Sequence, residues 1–486
     1  MGSNATLADK PQGIGEDWLA VWLGLIVVAL AIASWAGPDL LGWAVTTRVW
    51  TDAAQALAPA TPAYASLGGV LSLVLTWLAL LAVLGIGARF LRADVKRFAV
   101  AFTVVFWLAY LGWIVGSVAW LAVNTPADAQ KFGIGWSLKL TNEGGYIVAL
   151  LAGLVISNFF PRLADWLREA IRPELYIKTA IVILGAFIAV TAAERGSFAL
   201  SLVLRGLAAI VEAYLIYWAV VYFVARKWFG FTREWAAPLA SGISICGVAA
   251  AISTGGAIRA RPLVPVVVSS LVVVFAVVEL LILPFLAQHF LWREPLVAAS
   301  WIGLAIKTDG AAVAGGGITE SLILAKAAAE GIHYQPGWIL GTTATIKVFI
   351  DLFIGIWAFL LAWIWTRHIN PQEPDKARSG EIWLRFPKFI LGYAASFAIV
   401  LALALAAGPQ SLAKLKGAIN EANNFRVIFF ILTFFAIGVL ANFRKLWREG
   451  LGKLAAVYVL TLFGFVVWVG LLISWIFFSG VKPPLA

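Results

Sequence analysis

Long apolar stretches separated by short polar segments recur along the chain from Trp18 almost to its end. An α-helix needs about 20 mostly apolar residues to cross a bilayer. No alternation of apolar and polar residues over about ten positions repeats, so the strands of a transmembrane barrel are not indicated. We therefore predict an all-α integral membrane protein with eleven full spans, at 18–36, 66–90, 98–123, 145–160, 176–193, 199–225, 263–287, 337–366, 388–407, 425–441 and 454–479.

Two further apolar stretches, 238–258 and 297–318, are richer in Gly, Ser and Thr than an ordinary span. Small residues let membrane helices pack closely, which is one explanation. Their density favours instead helices that break inside the membrane, where unpaired backbone is tolerated only if it lines a cavity or is buried in protein. Two interrupted segments in corresponding positions are typical of transporters with inverted repeats, whose binding site lies between them. The pattern alone leaves open whether they cross or re-enter.

The polar and small residues of these two stretches form the predicted binding site. Broken helices expose N–H groups and the positive end of the helix dipole, which favours an anionic substrate. The candidates for substrate binding are Ser244, Cys246, Gly247, Ser253, Thr254, Lys307 and Thr308.

Two charged pairs stand inside apolar segments, where a charge at the bilayer centre costs about 2.5–3.5 kcal/mol. Lys307 would bind an anion, and Asp309 would be its partner or a proton carrier; the alternative is that both lie near the interface. Lys347 and Asp351 stand four residues apart on one helix face. They would form either a neutralising pair within the helix or part of the site.

Two carboxylates, Glu212 and Glu279, sit deep in their predicted spans. Burial disfavours the charged form of a carboxylate, which suits proton coupling. Either residue could instead be structural. We therefore predict that Asp309, Glu212, Glu279, Lys347 and Asp351 include the groups that couple transport to protons or sodium.

Composition and charge support the membrane assignment and set an orientation. Hydrophobic residues make up 62% of the 486 residues and charged residues 13%, about half of what a soluble domain carries. The net charge of +11 does not indicate nucleic-acid binding, because Lys and Arg cluster in alternate short loops, among them 89–97, 367–388 and 442–453. The positive-inside rule then places residues 1–17 in the cytoplasm and the C-terminus outside. The same rule favours re-entry of 238–258, which would keep Arg259 and Arg261 inside.

Signatures of an enzyme are missing from the sequence. The three histidines form no metal-binding spacing, no phosphate-binding loop is present, and Gly242–Cys246 lacks the last glycine of a nucleophile elbow. The single cysteine excludes an intrachain disulfide. We predict neither catalytic residues, nor a metal, nor a cofactor.

Several of the same residues resemble a known family. Ser241–Ala260, SGISICGVAAAISTGGAIRA, resembles the Ser-Ile-Cys-Gly motif of the sulfate exporter family, bacterial inner-membrane proteins long catalogued as conserved hypothetical. Trp301–Gly317 resembles its second motif, and Lys347 matches a lysine in the helix that follows. Phe434–Gly450 and Ala180–Ile188 are similar to its penultimate helix and to an early core helix. The resemblance covers about 145–480 as a transporter core and leaves 18–124 as additional N-terminal spans.

The resemblance implies a secondary active transporter in the bacterial inner membrane that exports a small anion, a sulfate-like oxyanion or a sulfonate. Its partners would be that anion, a coupling proton or sodium ion and the lipid bilayer, with no nucleic acid; homo-oligomerisation is left open. A carrier of another small organic solute, a channel and a membrane-embedded enzyme are the alternatives.

The sequence also departs from the family pattern at four positions. Lys307 and Thr308 stand where many members carry His-Glu, Ala311 replaces a frequent Gln, and Ile350 replaces a second cation. Substrate and coupling ion are therefore expected to differ from those of other members.

Overall fold

The computed structural model describes residues 15–123, 126–138, 144–194, 205–261, 263–369, 387–443 and 452–485. Apart from one short antiparallel β-hairpin, Val45–Thr47 with Leu57–Pro59, these residues form helices and turns. The helices are α1 (Glu16–Ala36), α2 (Gly68–Phe90), α3 (Val95–Gly116), α4 (Ala119–Ala122), α5 (Pro126–Lys131), α6 (Gly144–Phe159), α7 (Pro161–Leu167), α8 (Pro173–Glu194), α9 (208–228), α10 (Arg233–Ser244), α11 (Gly247–Ala257), α12 (Leu263–Leu291), α13 (Pro295–Ala305), α14 (Asp309–Ala329), α15 (Trp338–Leu352), α16 (Ile354–Ile364), α17 (Phe389–Ala406), α18 (Pro409–Leu440) and α19 (Gly452–Phe478).

The all-α membrane architecture is confirmed. Among the described residues, nine helices are long and apolar enough to span a membrane, and α6 with the segment Pro161–Ala170, bent by 115°, would make a tenth. Residues 199–204 of one predicted span lie outside the described residues. Two predicted bounds differ from the structure: the span 98–123 ends as a helix at Gly116, and the span 425–441 begins at Pro409.

The first Gly-rich stretch forms a re-entrant hairpin, which we call hairpin A, from α10 and α11. The hydroxyls of Ser241 and Thr254 are 2.7 Å apart, whereas 13 residues of continuous helix would separate them by about 20 Å. At the base, the carboxylate of Glu234 accepts hydrogen bonds from the backbone N–H and the guanidinium of Arg261, at 2.7 and 3.0 Å. Both ends of the segment therefore lie on the same side, as the positive-inside rule favoured.

The second stretch forms hairpin B from α13 and α14. A Cβ added at Gly315 would lie 2.7 Å from Ile306 Cδ1, so α14 folds back closely onto the end of α13. Near its base, the ammonium of Lys326 lies 5.6 Å from the ring centre of Trp292. The residues before α13 and at the end of α14 are thus neighbours.

The two hairpins open at opposite ends of the bundle, as α19 shows. Lys453, at the start of α19, places its ammonium 5.2 Å from the ring of Phe231, next to the base of hairpin A. After α19 ends, the backbone N–H of Gly480 donates to Glu294, at the base of hairpin B, at 2.8 Å. The helix between these contacts is 27 residues long, or about 40 Å. The hairpins are therefore inverted relative to each other, with α12 running between their bases.

A second group of helices packs beside the hairpins. Helix α8 contacts α1, α17 and α18, and it also contacts α14 and α15. Asp17 of α1 pairs with Lys178 of α8 at 2.8 Å, and Glu16 pairs with Arg172 at 2.5 Å. The first helix is thereby tied to the core, although the sequence groups it with the additional N-terminal spans.

Candidate functional site

The tips of the two hairpins touch. The backbone N–H of Gly247, the first residue of α11, donates to the carbonyl of Lys307 at 2.6 Å. Only a glycine fits here, because a Cβ would lie 2.3 Å from Val272 Cγ1 on α12. On the other tip, the Thr308 hydroxyl accepts from the backbone N–H of Ala311 and caps the start of α14. Each tip thus places a helix N-terminus at the contact.

Lys347, on α15, joins the two tips. Its ammonium donates to the carbonyl of Ile245 at 3.0 Å and contacts that of Lys307 at 3.4 Å. It lies 3.8 Å from a carboxylate oxygen of Asp309, and both side chains are 2% exposed. These carbonyls lack helical partners because the helices break there. A buried cation therefore satisfies backbone acceptors from both hairpins at once.

Cys246, Asp309 and Asp351 converge beside Lys347. One side-chain ligand atom from each lies within 4.8 Å of the others, and all three residues are buried. Within the described part of the chain, both carboxylate oxygens of Asp351, one of Asp309 and the hydroxyl of Ser244 have no hydrogen-bond partner. Buried polar groups of this kind are normally satisfied. The tips therefore present acceptors that a proton, a cation or a substrate donor could occupy.

The cluster suits a proton or a hard cation better than a transition metal. Two of its three side chains are carboxylates, which like backbone carbonyls prefer hard ions, whereas the thiol of Cys246 prefers soft ones. Glu174 and Lys178 of α8 and Tyr214 of α9 are further ionisable groups that interact electrostatically with these aspartates.

Lys307 directs its side chain away from Asp309, into a second polar cluster. Its ammonium donates to the carbonyl of Leu304 and lies 4.5 Å from the ring centre of Tyr217. Its backbone N–H donates to Glu279 at 3.2 Å, and the hydroxyl of Tyr458 contacts the same carboxylate at 3.2 Å. Only the backbone of Lys307 therefore belongs to the tip contact.

The structure divides the predicted site residues into three groups. Residues at the tips are Ser244, Cys246, Gly247, Thr308, Asp309, Lys347 and Asp351. Lys307, Glu279 and Glu212 belong to the second cluster, where the Tyr217 hydroxyl donates to Glu212. Ser253 and Thr254 lie on α11 beyond the tip, and Thr254 joins the two arms of hairpin A.

One of the pairings that the sequence allowed is not formed in the structure. Lys307 and Asp309 do not face each other, because the Lys307 ammonium lies over Tyr217 whereas a carboxylate oxygen of Asp309 lies 3.8 Å from Lys347. Lys347 lies 3.8 Å from a carboxylate oxygen of Asp309 and also interacts electrostatically with Asp351 on its own helix, so it faces both aspartates at the tips. The tyrosines of the second cluster, Tyr217 and Tyr458, were missed because tyrosine in an apolar run carries no separate signal in the sequence.

Comparisons with known proteins place the chain in one family. The family model described as conserved hypothetical protein 698 matches residues 110–457. The chain is 40% identical over 474 residues to a UPF0324 membrane protein of Nitrosomonas europaea, covering 96% of each protein. It is 46% identical over 170 residues to a protein of Archaeoglobus fulgidus, covering 31% of this chain and 91% of that protein.

A more distant relative extends the same relationship. A UPF0324 membrane protein of Rhodopirellula baltica is 29% identical over 360 residues, covering 72% of this chain and 57% of the relative. No solved structure matches this chain. The extent of the family model and the near-full-length match to the Nitrosomonas protein show that this chain belongs to the family of conserved hypothetical protein 698, whose members include UPF0324 membrane proteins.

Proposed function

We propose that this protein is a secondary active transporter of a small anion that works by alternating access at the hairpin tips. The observation that carries the proposal is the bond from Gly247 to Lys307, which joins two re-entrant hairpins opening at opposite ends of the bundle. A site between inverted, discontinuous helices is accessible from either side when one group of helices rocks against the other. A channel would need a continuous pore, whereas these tips are buried against each other.

An anion suits the groups that meet at the tips. The first turns of α11 and α14 present backbone N–H groups that have no helical acceptor, and the positive ends of two helix dipoles. Lys347 adds a positive charge at the same place. Sulfate, sulfonates and small carboxylates are the anions that backbone N–H groups and a single ammonium would bind.

Proton coupling follows from the charge count at the tips. With both aspartates ionised, Asp309 and Asp351 outnumber Lys347 by two to one. Protonation of one aspartate balances the lysine, and protonation of both leaves a net positive site that attracts an anion. Anion and proton would then bind with positive cooperativity, because each lowers the electrostatic cost of the other. Glu174 and Lys178 also interact electrostatically with Asp309. They form a salt bridge with each other at 3.3 Å, so together they add no net charge.

The test is transport by the purified chain in proteoliposomes. Labelled sulfate, methanesulfonate and acetate would be offered with and without a proton gradient, with a neutral sugar as the control solute. We expect at least one anion to be transported, to show counterflow and to depend on the proton gradient, and Asp309→Asn to abolish that dependence. Failure to transport any of the three anions, or unitary currents typical of a channel, would overturn the proposal.

A further inference from the structure

The first half of α18 carries a polar stripe that the tips do not use. Lys416, Asn420, Asn423 and Arg426 are three or four residues apart, so they share one face of the helix. This half of α18 is followed by the apolar segment 427–440. A polar stripe on a membrane helix marks the wall of a cavity or a partner helix.

The stripe lines a cavity of about 580 Å³, a size typical of small-molecule sites. The rest of the lining comes from Phe187 and Val190 of α8, Glu320 of α14, and residues just before and at the start of α15. The backbone N–H of Gln335, which also lines the cavity, donates to the carbonyl of Pro484 at 2.8 Å. The cavity therefore lies toward the end of the bundle where α19 ends and hairpin B opens.

Arg426 is held in a fixed orientation at this cavity. Its Nε donates to the Oδ1 of Asn423 at 2.5 Å, and its guanidinium lies 4.8 Å from the ring centre of Phe430. The residue is 8% exposed and also lines a smaller neighbouring cavity of about 130 Å³. A guanidinium fixed by packing presents its N–H fork to a carboxylate, sulfonate or sulfate with little loss of entropy.

The charges of the cavity wall favour an anion. Its cationic residues are Lys416 and Arg426, and its single acidic residue is Glu320. Glu320 already accepts backbone N–H groups of Gly337, Ile339 and Leu340, each at 3.0 Å, at the start of α15. The formal net charge of these three residues is +1. The wall also contains the side-chain amides of Asn420 and Asn423.

We propose that this cavity is a second anion-binding site, in which Arg426 and Lys416 bind a small oxyanion and Asn423 orients the guanidinium. The further claim that this anion is the transported substrate, bound here before or after it occupies the site at the tips, rests on the proposed transport function. Anion binding in the cavity does not depend on that function. Asn423 is a positioning residue, because it acts through Arg426.

The test is calorimetric titration of the purified full chain with sulfate, methanesulfonate and acetate, comparing wild type with Asn423→Asp. A carboxylate at 423 accepts the same hydrogen bond from Arg426 and neutralises the guanidinium. We expect the variant to keep or raise the melting temperature and to lose one bound anion per chain, or to bind it at least about tenfold more weakly. Lys416→Gln, an exposed change, should weaken binding severalfold and reduce its salt dependence.

The matched control is Gln410→Glu, which adds the same charge to α18 at a residue of a different cavity. It should bind anions as wild type does. Absence of binding of all three anions by wild type, or unchanged binding by Asn423→Asp, would overturn the second site. Loss of binding in Asn423→Asp together with no anion transport by wild type would retain this site and reject the transport function. Anion transport by wild type together with unchanged anion binding in Asn423→Asp would retain the transport function and reject this second site.

Discussion

The backbone N–H of Gly247 donates to the carbonyl of Lys307 at 2.6 Å, across 60 residues of sequence. This bond connects two hairpins that open at opposite ends of the bundle. Lys347 binds the same Lys307 carbonyl and that of Ile245. The contact between the tips therefore depends on backbone groups that the helix breaks release, and on one buried lysine.

Gly247→Ala should destabilise the protein. The added Cβ would lie 2.3 Å from Val272 Cγ1, a branched side chain of α12 that cannot move away without displacing its neighbours. Overpacking of this kind costs about 1–3 kcal/mol, measured as a lower midpoint of thermal unfolding in detergent. Gly85→Ala, inside α2 with nothing within 4 Å of the added Cβ, is the control and should unfold at or above the wild-type midpoint, because alanine favours a helix over glycine by about 1 kcal/mol. Equal midpoints for the two variants would contradict the close packing of the tip.

Lys347→Gln should be more destabilising than removal of an exposed lysine. It leaves Asp309 and Asp351 buried without their cation, and loss of one partner of a buried pair costs about 3 kcal/mol or more. Lys326→Gln, which breaks an exposed pair with Glu330, should change stability by about 0.5 kcal/mol or less. Adding Asp309→Asn to Lys347→Gln should recover part of the lost stability, because it removes one of the buried charges left without a cation. A double variant as unstable as the sum of the single variants would show that the two side chains are not coupled.

The re-entry of both hairpins predicts a labelling pattern. In a Cys246→Ala background, cysteines replacing Lys227 and Arg259 should react with an impermeant maleimide from one side of the membrane. Cysteines replacing Arg293 and Glu330 should react only from the other side. The positive-inside rule makes the first side cytoplasmic, because Arg226, Lys227 and Arg233 lie there. Labelling of 227 and 259 from opposite sides would mean that α10 and α11 cross the membrane.

The base of hairpin A should respond to acid. Hydrogen bonds from the side chain and the backbone N–H of Arg261 hold the pKa of Glu234 below its usual value. The pair therefore contributes stability above the ordinary pKa of a glutamate, about 4.3, and loses that contribution as the pH falls through the lowered value. The difference in unfolding midpoint between wild type and Glu234→Gln should be constant above about pH 5 and should narrow as the pH falls below about 4.3. If the difference in unfolding midpoint between wild type and Glu234→Gln did not depend on pH, the ion pair of Glu234 with Arg261 would not be the cause of that difference.

Sequence reasoning located the helix breaks but not the directions of the side chains. The small residues around Cys246 and Lys307 indicated both breaks, because no ordinary span needs so many of them. That Lys347 binds the tips, while Lys307 lies over Tyr217, follows from how α9, α13 and α15 pack, which no local pattern records. Re-entry likewise depends on long-range contacts such as that of Ser241 with Thr254.

The second anion site was missed for a related reason. The hydrophobic pattern placed the start of a span at 425, because Lys416, Asn420 and Asn423 interrupt the apolar run. In the structure these residues are helical and face a cavity, so α18 begins at Pro409. Their spacing of three and four residues was the signal that could have indicated one polar helix face.

The reactivity of Cys246 tests the central claim most directly, because it is the only cysteine in the chain and lies at the tip contact. In the state described, its side chain is buried. An impermeant thiol reagent would be applied to sealed vesicles of each orientation, with and without the transported anion, and Cys246→Ala would serve as the unreactive control. Alternating access predicts reaction from both sides of the membrane, slowed from both sides by the anion. Reaction from one side only, unaffected by any anion, would contradict a transport site at the hairpin tips.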